Sequence, residues 1–220
     1  MHFDPATLSI YLVTDTQQCV ASGRTVTDTV QQAAHQGVTL VQIRDKEASA
    51  RDFLAMTLEI AKVMPKHIPL LINDRVDIFL AAQLAKANVA GMHIGQTELP
   101  ATTVRQLIGP HAILGVSAAS EETLLEAQNS QVVDYVGIGP LHDTQTKKNA
   151  PAGRGFEAMA QLRSYTHLPA VAIGGITASD LPPLRAAGFN GAAVVSAICK
   201  APDPGAAAHA LAQQWRTTAG

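Results

Sequence analysis

The residues able to do chemistry in this chain stand directly after short apolar runs. Gln42-x-Arg44-x-Lys46 extends the run at Leu40, Asn73-Asp74 closes Leu70-Leu71-Ile72, and Glu98 lies just past the fourth run in Gly95-Gln96-Thr97-Glu98. Ser117 ends the fifth run, Thr144-Gln145-Thr146-Lys147-Lys148 opens from the sixth, Gly174-Gly175 closes the seventh and Val195-Ser196 the eighth. These types suit the gripping of phosphate. Arginine forks onto two oxygens and lysine acts as a movable point charge, while glycine lets the backbone approach an oxygen without a Cβ in the way. At an effective dielectric of ~20, each cationic contact at ~4 Å contributes roughly 4 kcal/mol of attraction before desolvation. Arg44, Lys46 and Lys147 supply the cations, and Lys148 reads as an ordinary exposed lysine. Asp74 and Glu98 form a carboxylate pair that, with phosphate oxygens and water, suits Mg²⁺. An Asp that caps a helix and a structural ion pair from Arg75 are the plainer alternatives.

Eight apolar runs must position these groups: Ser9–Val13, Leu40–Arg44, Leu70–Ile72, Gly91–Ile94, Ile113–Val116, Tyr135–Gly139, Ala170–Ile173 and Ala192–Val195. Between them the apolar spacing is helical. Val26, Val30, Ala33 and Ala34 share one face before Gly37, and Phe53 to Val63 stops at Pro65. Val76 to Ala87, Val104 to Ile108, a segment capped by Ser120, Phe156 to Tyr165, a segment capped by Thr177 and Gly205 to Trp215 complete the set. Alternating strands and helices imply a parallel sheet with right-handed crossovers. In 220 residues this predicts α/β architecture as a single-domain (β/α)₈ TIM barrel over residues 1–220. A doubly wound open sheet would use the same units, but Thr14-Asp15-Thr16, not a Gly-rich fingerprint, follows the first strand. In the barrel all the polar strand ends gather at one rim. The corner after strands seven and eight is where such folds commonly build a phosphate site from backbone N–H groups. The long connection from Leu141 to Arg154 reads as a functional loop or lid.

Sixteen basic and eighteen acidic residues give a net charge of −2, so no global field recruits nucleic acid or membrane. No run approaches a membrane span and the first residues do not read as a signal peptide. A cytoplasmic protein is expected. Cys19 and Cys199, distant in sequence, read as free thiols of a reducing compartment. The eight histidines include no zinc-type spacing. His93 reads as a packed or supporting residue, and His142 as a candidate substrate contact. No Ser-His-acid order or nucleophile elbow appears.

Taken together, Gln42-x-Arg44-x-Lys46, Asn73-Asp74, His93-x-Gly95-Gln96, Leu114-Gly115-Val116-Ser117, Gly137-x-Gly139-Pro140, Thr144-x-Thr146-Lys147-Lys148 and Gly174-Gly175-Ile176-Thr177 resemble the thiamine-phosphate synthase family. The resemblance runs from about residue 8 to 200. It implies a barrel enzyme, a transferase of thiamine biosynthesis, that joins a hydroxymethylpyrimidine diphosphate to a thiazole phosphate and releases pyrophosphate. By motif, Gln42 would contact the pyrimidine, and Arg44, Lys46, Asn73 and Lys147 would hold its diphosphate. Asp74 and Glu98 would take Mg²⁺, and Ser117 would hydrogen-bond near the reacting carbon and leaving oxygen. Thr144, Thr146, Gly175, Val195 and Ser196 would bind the thiazole phosphate. Small phosphorylated substrates are thus the expected partners, with homodimerisation allowed. The family usually has Asp at the Glu98 position and Ala-Asp-Gly where this chain has Val89-Ala90-Gly91, and Ala81 to Asn88 is longer than usual. Two rivals remain: a thiazole tautomerase, for which Ser117-Ala118-Ala119-Ser120 offers no proton-transferring group, and a non-catalytic precursor sensor.

Overall fold

Strands apolar on both faces need cover on both sides, which a parallel sheet obtains from helices outside and its own closure inside. The computed structural model describes residues 3–144 and 152–217. Strands β1 (Ile10–Val13), β2 (Leu40–Ile43), β3 (Leu70–Asn73), β4 (Gly91–Ile94), β5 (Ile113–Ser117), β6 (Tyr135–Ile138), β7 (Ala170–Ile173) and β8 (Gly191–Val194) pair in chain order. All pairs are parallel, and β8 closes back on β1 in the register Ile10↔Ala192. This is the (β/α)₈ barrel expected. Gly191 permits the closure, since a Cβ there would lie 1.7 Å from the Leu8 carbonyl oxygen.

The outer layer consists of α1 (Thr16–Ala21), α2 (Val26–Ala34), α3 (Ala50–Val63), α4 (Val76–Leu84), α5 (Ala101–Ile108), α6 (Glu121–Asn129), α7 (Gly155–Ser164), α8 (Leu181–Ala186), α9 (Ser196–Cys199) and α10 (Pro204–Thr217). Capping residues set several starts: Thr25 with Asp28 closes a capping box on α2, Ser49 accepts from Asp52 N–H on α3, and Ser120 with Thr123 does the same service for α6. α4 ends three residues before the expected Ala87 because Lys86 turns to φ 60°, and the Ala87 amide reaches back to the Ala82 carbonyl. The first helix of the expected set is α2; α1 ahead of it and α9 are additions. α1 and α9 pack together, placing Cys19 against Cys199. Both thiols are free and buried. Their mutual hydrogen bond pulls Cys19 below its ordinary value, and the same bond together with burial pushes Cys199 up.

Two apolar clusters follow from strand alternation. One lies between barrel and helices and includes Ile10, Leu12, Val41, Ile43, Leu70 and Ile72; the other fills the barrel with Tyr11, Val13, Leu40, Leu71, Tyr135, Val171 and Ala193. At the N-terminal rim Arg105 braces two loops, donating to the carbonyls of Gly109, Ala112 and Val132 and pairing with Asp134 at 2.7 Å. The segment around Ala81 to Asn88 and the Val89-Ala90-Gly91 start of β4 lie at this same rim.

Candidate active site

The inward face of each strand carries residues at period two. Continued toward the strand ends, the parity that points Tyr11, Leu40, Leu71, Tyr135, Val171 and Ala193 inward also selects Gln42, Asn73, His93 and Ser117, while Gly175 and Val195 follow just past the ends of β7 and β8. The register supports this: Asn73 lies opposite His93, Ser117 opposite Gly137, and Ile173 opposite Ala193. The barrel brings these residues to its C-terminal rim, with Arg44 and Lys46 on the turn beyond β2.

That turn is braced from behind. Asp45 accepts from the Thr16 hydroxyl at 2.7 Å and from the Glu47 and Ala48 amides at 2.9 and 3.0 Å. Burial alone would raise its carboxyl, but these bonds and nearby Arg44 hold it below the usual range. Arg44 is half-buried, and its amide donates to the buried Thr14 hydroxyl at 3.0 Å. Lys46 reaches Asp74, Nζ to Oδ2 3.3 Å.

Asp74 adopts φ 62°, a left-handed conformation that Asp tolerates better than most side chains. Its amide donates to the His93 carbonyl at 2.9 Å, its Oδ1 accepts from the Gly95 amide at 3.0 Å, and its Oδ2 accepts from Asn73 Nδ2 at 2.6 Å. Asp74 therefore does not cap α4. It ties the end of β3 to the Gly95-Gln96-Thr97-Glu98 turn, and Arg75 pairs instead with Asp77 at 2.5 Å. Glu98 is exposed on that turn. Among the described residues no group of three or more His, Cys, Asp or Glu side chains gathers as a metal cluster. Asp74, with the Lys46 ammonium 3.3 Å from its Oδ2, is the carboxylate at this rim whose chemistry, as a hard oxygen donor, would suit a divalent cation.

On the far side, the chain after β6 folds along β7: the Leu141 amide donates to the Ile173 carbonyl and the His142 amide to the Gly174 carbonyl, both at 3.0 Å. Gly174 and Gly175 take φ 102° and 65°, and a Cβ on Gly175 would come within 2.8 Å of His142 Cβ. His142 donates Nε2 to Asp180 at 3.0 Å and meets Phe156 edge-on. It anchors the loop, a structural duty the sequence reading as a substrate contact did not anticipate. Thr144 is half-buried at the loop's start; Thr146, Lys147 and Lys148 lie outside the described residues. Val195 and Ser196 open α9, whose end Arg24 holds by donating to the Cys199 and Ala201 carbonyls.

Below the rim, His93 supports its neighbours as the sequence suggested, and two tyrosines not singled out in the sequence join it. His93 sits between two partners, Nδ1 to Tyr135 Oη 2.9 Å and Nε2 to Ser117 Oγ 3.0 Å, and Tyr11 joins Tyr135 beneath it. The available signal was parity, because both tyrosines lie in step with Gln42 and Ser117 on inward positions.

The profile described as thiamine monophosphate synthase matches residues 10–198. The chain belongs to the thiamine monophosphate synthase family. A thiamine-phosphate synthase of Vibrio campbellii is 43% identical over 203 residues, covering 92% of this chain and 95% of the relative. One of Azorhizobium caulinodans is 45% identical over 208 residues, covering 94% of each. Among solved structures, thiamine phosphate pyrophosphorylase from Pyrococcus furiosus superposes with a TM-score of 0.84 at 26% identity, covering 98% of this chain and 99% of that one. As a thiamine monophosphate synthase family member the chain is a transferase of thiamine biosynthesis. Among the described residues no helix is long and apolar enough to cross a membrane.

Proposed function

We propose that this rim joins a hydroxymethylpyrimidine diphosphate to a thiazole phosphate, releasing pyrophosphate and thiamine phosphate. One observation supports the assignment of roles: inward parity sets Gln42, Asn73 and Ser117 at one mouth, beside Arg44 and Lys46, and Gly175 and Val195 stand just past the ends of β7 and β8 at the same rim. Gln42 orients the pyrimidine. Arg44, Lys46, Asn73 and Lys147 bind its diphosphate, and Thr144, Thr146, Gly175, Val195 and Ser196 bind the thiazole phosphate. Asp74 and Glu98 would hold Mg²⁺, which when bound supplies charge neutralisation for the departing pyrophosphate.

The electron-rich aminopyrimidine stabilises a methylene cation as the C–O bond breaks and the electron pair leaves with pyrophosphate. The thiazole nitrogen then supplies its lone pair to the methylene carbon, and that nitrogen has no proton to lose. Such a reaction asks the protein for positioning and charge stabilisation rather than for a general base. Ser117 donates to the leaving oxygen, while Arg44 and Lys147 stabilise the charge that develops on the diphosphate.

The deciding experiment mixes the purified protein with both phosphorylated precursors and Mg²⁺ and measures thiamine phosphate and pyrophosphate. Formation of both, nearly abolished in Lys147→Ala, is expected. Isomerisation of the thiazole without coupling would convert the reading to a tautomerase, and binding without turnover to a sensor. A cytoplasmic setting and a homodimer are proposed with it; the two unlinked thiols support the first, and light scattering against the 23.1 kDa chain mass checks the second.

A further inference from the structure

The interior of the barrel contains a continuous polar chain below the mouth. Gln42 Nε2 donates to the Tyr11 hydroxyl. Tyr11 Oη lies 2.8 Å from Tyr135 Oη, which lies 2.9 Å from His93 Nδ1, and His93 Nε2 lies 3.0 Å from Ser117 Oγ. Tyr11 is 1% exposed, Tyr135 0% and Gln42 3%. The strands are shaped around this chain: a Cβ on Gly115 would fall 2.1 Å from the Tyr135 ring, and one on Gly137 would fall 3.3 Å from His93 Cε1. Phe3 stacks on Tyr135 with ring centroids 5.7 Å apart. Buried polar groups are costly unless each is satisfied, and packing alone would be served by phenylalanine and leucine.

We propose that Tyr11, Tyr135 and His93 are positioning residues that fix the direction of this chain and so make Ser117 a hydrogen-bond donor to the leaving oxygen. An amide nitrogen at the Gln42 end can only donate. Each tyrosine has one proton to pass on, so Tyr11 donates to Tyr135 and Tyr135 donates to His93 Nδ1. The ring proton then resides on Nε2 and is given to Ser117 Oγ. The hydroxyl proton of Ser117 is left to point into the mouth. The opposite direction would commit that proton to His93 and present only lone pairs to an oxygen gaining negative charge. Burial pushes both tyrosines above their ordinary value, which keeps them protonated donors across the working range.

The inference rests on the reading that Ser117 meets the leaving oxygen, and the test separates the two. In ¹⁵N-labelled full-length protein, His93 should show a protonated Nε2 and a bare Nδ1, assigned by the resonances lost in His93→Gln. Tyr135→Phe should mix the tautomers. Its kcat should fall ~10-fold, a fraction of the ~10²-fold cost of deleting a transition-state donor outright, with KM for both substrates held within about twofold. Tyr11→Phe, farther along the chain, should give a smaller loss of the same kind and serves where Tyr135→Phe folds poorly. In a Ser117→Ala background Tyr135→Phe should cost nothing more, because the two act as one unit. A protonated Nδ1 in the wild-type protein, or a Tyr135→Phe loss that is undiminished in that background, would overturn the positioning role alone. Wild-type kcat in Ser117→Ala would overturn the reading of Ser117 and the positioning role with it.

Discussion

Asp74 holds a left-handed backbone that costs roughly 1 kcal/mol for a residue other than glycine, and it recovers this through bonds to Gly95, Asn73 and Lys46. The carboxylate is thereby aimed at the rim. If Glu98 shares a Mg²⁺ with it, Glu98→Asp should retain Mg²⁺-dependent turnover and Glu98→Ala should lose most of it. Unchanged Mg²⁺ dependence in Glu98→Ala, read from a metal titration of the rate, would remove Glu98 from that role. Arg44→Ala should lower kcat/KM by about 10²-fold or more, the usual penalty for removing one charge-stabilising donor. Its urea midpoint should stay put, because the bond from the Arg44 amide to Thr14 is main-chain and survives truncation. These rim residues were legible in sequence because Gln42-x-Arg44-x-Lys46 keeps the period of a strand beyond its last apolar residue. Tyr11 and Tyr135 were not, since a tyrosine within an apolar run reads as core, and its hydroxyl partner here is 124 positions away.

At the scale of elements, the start of α8 and the loop after β6 are locked through one side chain. Asp180 accepts from the Thr177 amide and hydroxyl at 2.8 and 2.9 Å and from His142 at 3.0 Å. Burial would raise its carboxyl, yet the bonds from His142 and Thr177 win and hold it below the ordinary value. An unfolded Asp titrates near ~3.9. The stability Asp180 contributes is therefore complete above about pH 4 and is lost as pH falls through the lower folded value. Asp180→Asn should flatten the decline of Tm with acidification in that window, which a series of thermal melts from neutral to strongly acidic buffer would reveal. Gly115→Ala should be destabilising by about 3 kcal/mol, the upper end of ordinary overpacking, because the Tyr135 ring stands where the methyl would go. The Thr177 cap was visible in sequence. Its pairing with Pro182 and Pro183 hid a short 3-10 turn, Ala178–Asp180, ahead of the helix proper. α1 and α9, at six and four residues, are too short to display a helical period.

For the whole molecule, the two rims divide labour. The C-terminal rim carries the groups proposed for chemistry, and the N-terminal rim holds the units together, as Arg105 does among the carbonyls of Gly109, Ala112 and Val132 and the carboxylate of Asp134. Arg105→Ala should cost ~3 kcal/mol, near the loss from breaking a partly buried ion pair and stranding its carbonyls, with kcat unchanged. Chemical denaturation alongside steady-state rates would check this, and a parallel loss of kcat would contradict it. The barrel was legible because eight apolar runs alternated with helical spacing; its closure, set by Gly191 against Leu8, rests on two segments at opposite ends of the chain. The stacking of Phe3 on Tyr135 adds a contact from the first described residue to the middle of the chain. This first described segment packs Phe3 against the inner apolar cluster where β6 begins, at the end of the cylinder away from the mouth. A purification handle that tugs on this segment would wet the cylinder from below, and the damage would surface as sluggish turnover at the far mouth.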